Sequence, residues 1–482
     1  MPRGSPVCML AVCVVLMNGA GSAFAQQAIG LRPSLDEGTS VAAPPPPDDA
    51  SNADDGLAPP QAPETAPVTD PQFAESAEIP PSPPGGIPPL TRTLERAETA
   101  APTVGPYDPL GIRLGAFRAY PSVEVTGVVT DNVRQSASDR QADIGLRIAP
   151  ELRLQSDWVR HSASLNANSE LIFYADDTDF NEHSANVTGN VLLDVRRSTT
   201  WETTGTYGLT QTSPASSEVP NSASGRRTDH AFGLTSRLSH RMGRLVGRIS
   251  AGARYLLFDD VSLSGGGRED NSDRNYLEPS AELRLSYEHT PAIRPFAEIR
   301  YRPRIHDRTV DRSGLRRNSH GGTVAAGVEF DLSQIWRGEV ALRYDVRTFD
   351  DATLDTVHSA GVDANVTWRP SQLTTVRWTA SSELDESAAS GISAVRSYTG
   401  AVAIDHALLQ HVIIRATGGL AFNDRIGSRQ DELTFDAGVG ISYLLSRKAE
   451  VLARYGFTSF ETFKSDDDYI ENQFTAGFRY KL

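Results

Sequence analysis

From Tyr120 onward, apolar and polar residues alternate in one segment after another, each about a dozen residues long. Ile144-Leu146-Ile148, Val187-Gly189-Val191-Leu193-Val195, Ala281-Leu283-Leu285-Tyr287 and Val324-Ala326-Val328-Phe330-Leu332 are clear examples. Leu433-Phe435-Ala437-Val439-Ile441-Tyr443-Leu445 is the cleanest, with Thr434, Asp436, Gly438, Gly440 and Ser442 between them. Period two means a strand with one apolar and one polar face. The segment length suits a tilted membrane-crossing strand of roughly 9–11 residues with its ends. The last segment, Gln473 to Leu482, places Phe474, Ala476, Phe478, Tyr480 and Leu482 on one face. Soluble sheets seldom leave such an aromatic edge unpaired. A closed barrel removes it by pairing the last strand with the first, here the segment near Val123 to Val129.

The connections alternate in length. Short turns are predicted near Ser156-Asp157, Arg196-Ser198, Met242-Arg244, Thr290-Ala292, Ser333-Trp336, Pro370-Gln372, Leu408-Gln410 and Ser446-Lys448. Longer loops fall at Thr130 to Gln141, Asp176 to Glu182, Ser213 to Arg227, Asp259 to Asp273 and Asp307 to Asn318, then at Asp350 to Asp355, Asp385 to Ser393, Asn423 to Asp431 and Thr462 to Asp468. Nine loops and eight turns predict about 18 strands, with 16 as the alternative. An even number places both barrel ends on the periplasmic side. The expected fold class is therefore all-β: a transmembrane antiparallel β-barrel over residues 106–482. A soluble solenoid or sandwich is the competing architecture, but no fixed repeat is present. Tyr120, Tyr207, Tyr287, Tyr301, Tyr344, Tyr443 and Tyr455, with Trp201, Trp336 and Trp368, fall mostly toward segment ends, as aromatic girdles do. No loop is long enough to suggest a dedicated constriction loop or plug.

The first hundred residues differ in kind. Met1 to Ala25 reads as a secretory signal, with Arg3, an apolar stretch from Val7 to Met17, and Ala23-Phe24-Ala25 as the cleavage site after Ala25. Residues 26–105 are rich in Pro, Ala and acids, and 21 of the 30 prolines lie before residue 110. Such a segment buries too little apolar surface to offset chain entropy, so a disordered periplasmic arm is expected. No later run of 18 apolar residues exists to form a transmembrane helix. The only cysteines, Cys8 and Cys13, lie inside the signal, which excludes disulfides and Cys-based metal or nucleophile chemistry from the mature chain. A net charge of −15 argues against nucleic acid as a partner.

The polar faces of the strands are the candidate working surface. Alternation puts Glu278, Glu282, Arg284 and Glu288 on one face, and Glu298, Arg300, Arg302 and Arg304 on the next. Arg248 and Arg254 precede them; Glu339, Arg343, Asp345 and Arg347 follow. The candidate lumen-lining residues are Arg284, Arg300, Arg302, Arg304, Arg343 and Arg347. Neighbouring strands lie about 4.8 Å apart, within reach of cross-ladder ion pairs. Two readings stand: a positive field favouring anionic solutes, or self-neutralising pairs that stiffen a polar interior. No catalytic, cofactor-binding or metal residues are assigned and no cofactor is expected. The histidines are scattered, and Asp405-His406 is the only adjacent acid–His pair. Gly265-Gly266-Gly267 lacks the strand–helix context of a phosphate cradle, and Asp466-Asp467-Asp468 reads as a solvated charge run.

Several stretches carry a family resemblance. The opening segment Pro106 to Val125, Asp131-Asn132, Ile148-Ala149-Pro150, Leu285-Ser286-Tyr287, Trp368-Arg369-Pro370, Asp405-His406 and Ala453-Arg454-Tyr455 resemble the outer-membrane proteins called putative β-barrel porin type 2. The resemblance covers residues 106–482 and implies an outer-membrane barrel in a Gram-negative envelope. Some similar barrels accompany exopolysaccharide synthesis and export. Thr475, Gly477, Tyr480 and Leu482 are similar to the terminal assembly signal of such barrels, with Leu482 where Phe is commoner. The implied partners are outer-membrane lipid and lipopolysaccharide, the barrel assembly machinery and polysaccharide export components. The expected function is a pore, a conduit for exopolysaccharide or anionic solutes, and no enzyme. A structural or adhesion barrel with a blocked lumen is the alternative, and an outer-membrane hydrolase comes third.

Overall fold

Strand after strand of the expected alternation is realised as one antiparallel barrel. The computed structural model describes residues 106–482, apart from 214–215, 217–218, 221–222, 334, 386–393, 428–430 and 463–467. The signal at 1–25, the arm at 26–105 and most of the Asp466–Asp468 run lie outside the described residues. The barrel strands are β1 (Phe117–Thr130), β2 (Asp143–Ser156), β3 (Ser162–Tyr174), β4 (Glu182–Arg196), β5 (Thr199–Thr212) and β6 (Arg227–Met242). They continue as β7 (Leu245–Phe258), β8 (Tyr276–Tyr287), β9 (Ile293–His306), β10 (Ser319–Leu332), β11 (Trp336–Phe349) and β12 (Val357–Ser371). The last six are β13 (Thr374–Asp385), β14 (Ala394–Leu409), β15 (Val412–Ile426), β16 (Glu432–Leu444), β17 (Ala449–Thr462) and β18 (Tyr469–Lys481). Eighteen strands close, so the count of 18 holds over 16.

Each strand pairs with the next, and β18 pairs back onto β1 from Ser122↔Lys481 to Thr130↔Gln473. Val123 stands opposite Tyr480 and Val129 opposite Phe474, the expected closing seam. Gly477 permits this approach, because a Cβ there would collide with the carbonyl oxygen of Val125. Leu482 donates its backbone N–H to Pro121 O at 3.0 Å. Short turns gather at the rim where β1 begins and β18 ends. The longer loops gather at the opposite rim, the extracellular one in barrels of this type.

The pleat sorts the residues. Val125, Ile144, Ile249, Leu342 and Phe478 point outward and are exposed, while Glu124, Arg147, Glu278 and Arg304 point inward and are buried. This reverses a soluble core and is what a lipid-facing barrel requires. Trp336, Trp368 and Trp378 stack at 5.1–5.8 Å on the outside of the short-turn end. Toward the loop rim, three Tyr–His pairs recur across strands: Tyr207–His230, Tyr301–His320 and Tyr344–His358, with the phenol 2.7–3.1 Å from Nδ1. Each presents an apolar ring to lipid and a polar tip to water. Tyr120 departs from the expected girdle: it lies on the inner face, under the Arg153 guanidinium at 4.9 Å. Its register partner is Arg153, and alternation alone cannot tell the faces apart near a strand's start.

Candidate functional site

The inner wall of the barrel is built from register. Glu282 stands opposite Arg300, and Arg284 opposite Glu298, on β8 and β9. All six candidate arginines come onto this inner surface, and every one has a carboxylate partner. Arg284 reaches Glu329 at 2.6 Å and Glu339 at 2.7 Å. Arg300 holds Glu298 at 2.6 Å and Glu282 at 2.9 Å. Arg304 is paired with Glu278 at 2.5 Å, and Arg302 and Arg347 approach the same carboxylate at 3.7 and 3.6 Å. Arg343 pairs with Asp345 at 2.8 Å. Arg284, Arg302, Arg343 and Arg347 are buried, and Arg304 is 1% exposed. Glu288, read as part of this face, lies beyond the end of β8 and pairs with Arg241 at the turn rim.

A second charged group, not singled out in the sequence, bridges the closing seam. Glu124 on β1 accepts from Arg454 at 2.6 Å, from Arg479 at 2.6 Å, and from Arg147. Arg147 continues to Glu170, while Glu450 takes Lys481 at 2.5 Å. These residues lie on five strands, β1, β2, β3, β17 and β18, so no local spacing connects them. Only the closing register does.

One water-facing stretch of the wall is uncharged. Register aligns Asn168 with Asn186, Asn166 with Thr188 and Ser164 with Asn190 on β3 and β4. Thr188 and Asn190 in turn face Thr206 and Thr204 on β5. Asn166, Asn168 and Asn186 are exposed to the interior. Across the barrel, Ala401, Thr417, Gly419, Gly438 and Gly456 line β14 to β17 with small side chains.

Two inward-folded elements narrow the loop rim, although no loop is long. In the 131–142 loop, Val133 packs inside the mouth on Val128, Ile172 and Tyr174. The next part of that loop holds Gln135 in the left-handed region, at φ 52°. Its side chain reaches Ser213 at 2.7 Å, Arg226 at 3.3 Å and Glu471 on β18 at 3.0 Å. Such an outlier persists only where its surroundings hold it. On the other side the β13 tip turns inward. Arg302 and Arg304 on β9 reach Glu383 at 3.4 Å and Leu384 O at 3.1 Å across three intervening strands. The outer loops are also cross-linked by charge. Arg312 pairs with Asp273 at 2.7 Å, holding its carboxyl below the usual range although burial acts the other way. Ser272, then Arg308, lower Asp270 to about 2.

The acid–His pair does not form a catalytic unit. Asp405 faces inward to Arg415 at 2.6 Å, whereas His406 faces outward to Thr374 at 2.9 Å. Adjacent strand residues take opposite faces.

Residues 105–482 match the family described as Putative beta-barrel porin 2. The chain belongs to this family. It is an outer-membrane, porin-like β-barrel. No characterised protein matches the sequence at a significant level. Among solved structures, OpdK of Pseudomonas aeruginosa is 13% identical, with 76% of this chain and 98% of that chain aligned and a TM-score of 0.37. OccAB4 of Acinetobacter baumannii is 11% identical over 76% and 98% of the two chains, at 0.36. OmpT of Vibrio cholerae is 11% identical over 77% and 99%, at 0.30. In this member of the β-barrel porin 2 family the six lumen arginines are paired with carboxylates, and Asn166, Asn168 and Asn186 are exposed to the interior.

Proposed function

We propose that this chain is a passive pore for neutral, hydroxyl-rich solutes, with oligosaccharides or a secreted polysaccharide strand as the cargo class. One observation carries the reading: the six lumen arginines are neutralised, and the solvated face is Asn166, Asn168, Asn186 and Thr188. Amides and hydroxyls exchange hydrogen bonds with sugar hydroxyls and hold no single position tightly, which suits conduction. An anion conduit needs a net positive field, and paired guanidiniums leave little of one. Barrels of this strand number generally leave an aqueous channel. The same proposal includes delivery by a signal ending at Ala25, assembly through Thr475, Gly477, Tyr480 and Leu482, and contact with lipopolysaccharide. The second reading, a structural barrel with a filled lumen, draws on the inward 131–142 loop and β13 tip.

Planar-bilayer recording and liposome swelling separate these. The folded barrel is expected to conduct with a reversal potential near zero in a KCl gradient, and to pass stachyose faster than gluconate relative to size. Replacing Arg300, Arg302 and Arg304 by Gln leaves Glu278, Glu282 and Glu298 in excess, so the triple variant should become cation-preferring. Marked anion selectivity in the native protein that the triple variant abolishes would overturn the reading. A folded barrel without conductance would favour the filled lumen.

A further inference from the structure

The longest stretch of the wall not held by a ladder lies between β12 and β13. Pairing of β12 with β13 runs from Trp368↔Val376 up to Ala364↔Ala380 and stops there. Both strands continue. β12 stays paired with β11 as far as Arg347↔Val357, and β13 stays paired with β14 as far as Asp385↔Val395. The upper end of β13, Ser381 to Asp385, has therefore parted from β12 along Val357 to Asp363, roughly 20 Å of strand at the ordinary rise. This length begins beside the Tyr344–His358 girdle pair and runs to the middle of β12.

Backbone groups exposed to hydrocarbon must find partners, and an open edge in lipid is normally absent from barrels. Here side chains supply them. Arg396 donates to His358 O at 2.9 Å and Tyr398 to Ala360 O at 3.3 Å. Ser382 Oγ accepts from Val362 N at 3.0 Å and donates to Val362 O at 3.2 Å. Ser382 crosses the inner side of β12 at Gly361, where a Cβ would collide with it. Gly361 thus makes room for the departure.

Two kinds of chemistry meet behind the gap. Val357, Leu384 and Ala394, with Phe349 and Ile426, form an apolar cluster on an otherwise polar rim. Beside it, Arg304 and Arg343 donate to Leu384 O and Ser382 O of the tip at 3.1 and 2.7 Å. A tip that swings away exposes an alkyl-sized apolar surface next to guanidinium donors.

We propose that the β12–β13 gap is a side portal between the outer leaflet and the outer lumen for a single-chain anionic amphiphile. Arg396, Tyr398 and Ser382 are its latch. The alkyl chain lies on Val357, Leu384 and Phe349, and the head group takes the Arg304 and Arg343 N–H donors that the Leu384 and Ser382 carbonyls of the closed tip occupy. The portal is independent of which solute uses the axial path.

The test uses the full chain refolded in lipid vesicles, with anthroyloxy-stearate as probe. Native protein should bind it saturably, with myristate competing and acetate not. Val357→Cys with Leu384→Cys, whose side chains pack together across the gap, should form a disulfide on oxidation, lower probe affinity at least tenfold, and recover on reduction. Arg396→Gln with Tyr398→Phe should speed probe uptake several-fold. No saturable binding in the native protein, equal competition by acetate, or an oxidised variant that binds normally would each overturn the portal. Failure of the cysteines to join in a heat-modifiable barrel would overturn the placement of Leu384 on Val357.

Discussion

At the residue scale, the lumen is governed by how charges are shared rather than how many there are. Glu278 is 3% exposed and serves three arginines, whereas Arg304 has Glu278 as its close carboxylate. Removing one partner of a buried pair costs about 3–5 kcal/mol, because the other charge stays desolvated. Arg304→Gln leaves Glu278 with Arg302 and Arg347, so its cost should lie near about 3 kcal/mol. Glu278→Gln leaves three guanidiniums crowded together and should cost nearer about 5 kcal/mol. Urea midpoints of the heat-modifiable form should therefore fall further for Glu278→Gln, and the double variant should recover part of the loss. Equal midpoints would mean that the arginines do not depend on Glu278.

At the element scale, the 131–142 loop and the β13 tip fold into the mouth, although no loop length suggested a constriction loop. The 131–142 loop enters the mouth because one apolar residue, Val133, finds Val128, Ile172 and Tyr174 on the inner face. Polar inner faces carry few such patches, so the contact is specific to this loop. Val133→Asp would bury a carboxylate without a partner there, and the loop should leave the mouth instead. Its single-channel conductance should rise while heat-modifiability is kept. Unchanged conductance would show that this loop does not narrow the ion path. The β13 tip follows the same logic from the other side, with Leu384 on Val357 and Ala394.

For the whole molecule, closure is the cooperative event. Each strand pairs with the next around residues 117–481, the longest interruption lying along the upper β12 edge, and Glu124 gathers arginines from both sides of the seam. Tyr480→Asp with Leu482→Asp should stop closure, leaving protein degraded or periplasmic. A chain carrying its signal joined at Pro106 should still give the heat-modifiable form, because residues 117–481 supply every strand of the barrel. Membrane-embedded protein at normal levels in the first variant would remove the terminal strand's role. Loss of folding in the second would give residues before 106 a structural part.

The sequence by itself determined the strands, a count of about 18, the lipid and water faces, the order of short and long connections, and the closing pair, while the structure decided 18 over 16. What the sequence determined follows from period-two patterning, which is local and survives without knowledge of neighbours. It also placed the six arginines on the inner face, but could not choose between a field and filler. That choice depends on cross-strand register, which sets Arg284 opposite Glu298 and lets it reach Glu339 three strands away. The Glu124 cluster was illegible for the same reason, since Arg147 and Arg454 are far apart in the chain and meet only when the barrel closes. The parted β12 edge was illegible too. Val357 to Asp363 alternates like any other strand, and only the tertiary fold decided that Ser382 would lie across Gly361 instead of beside it.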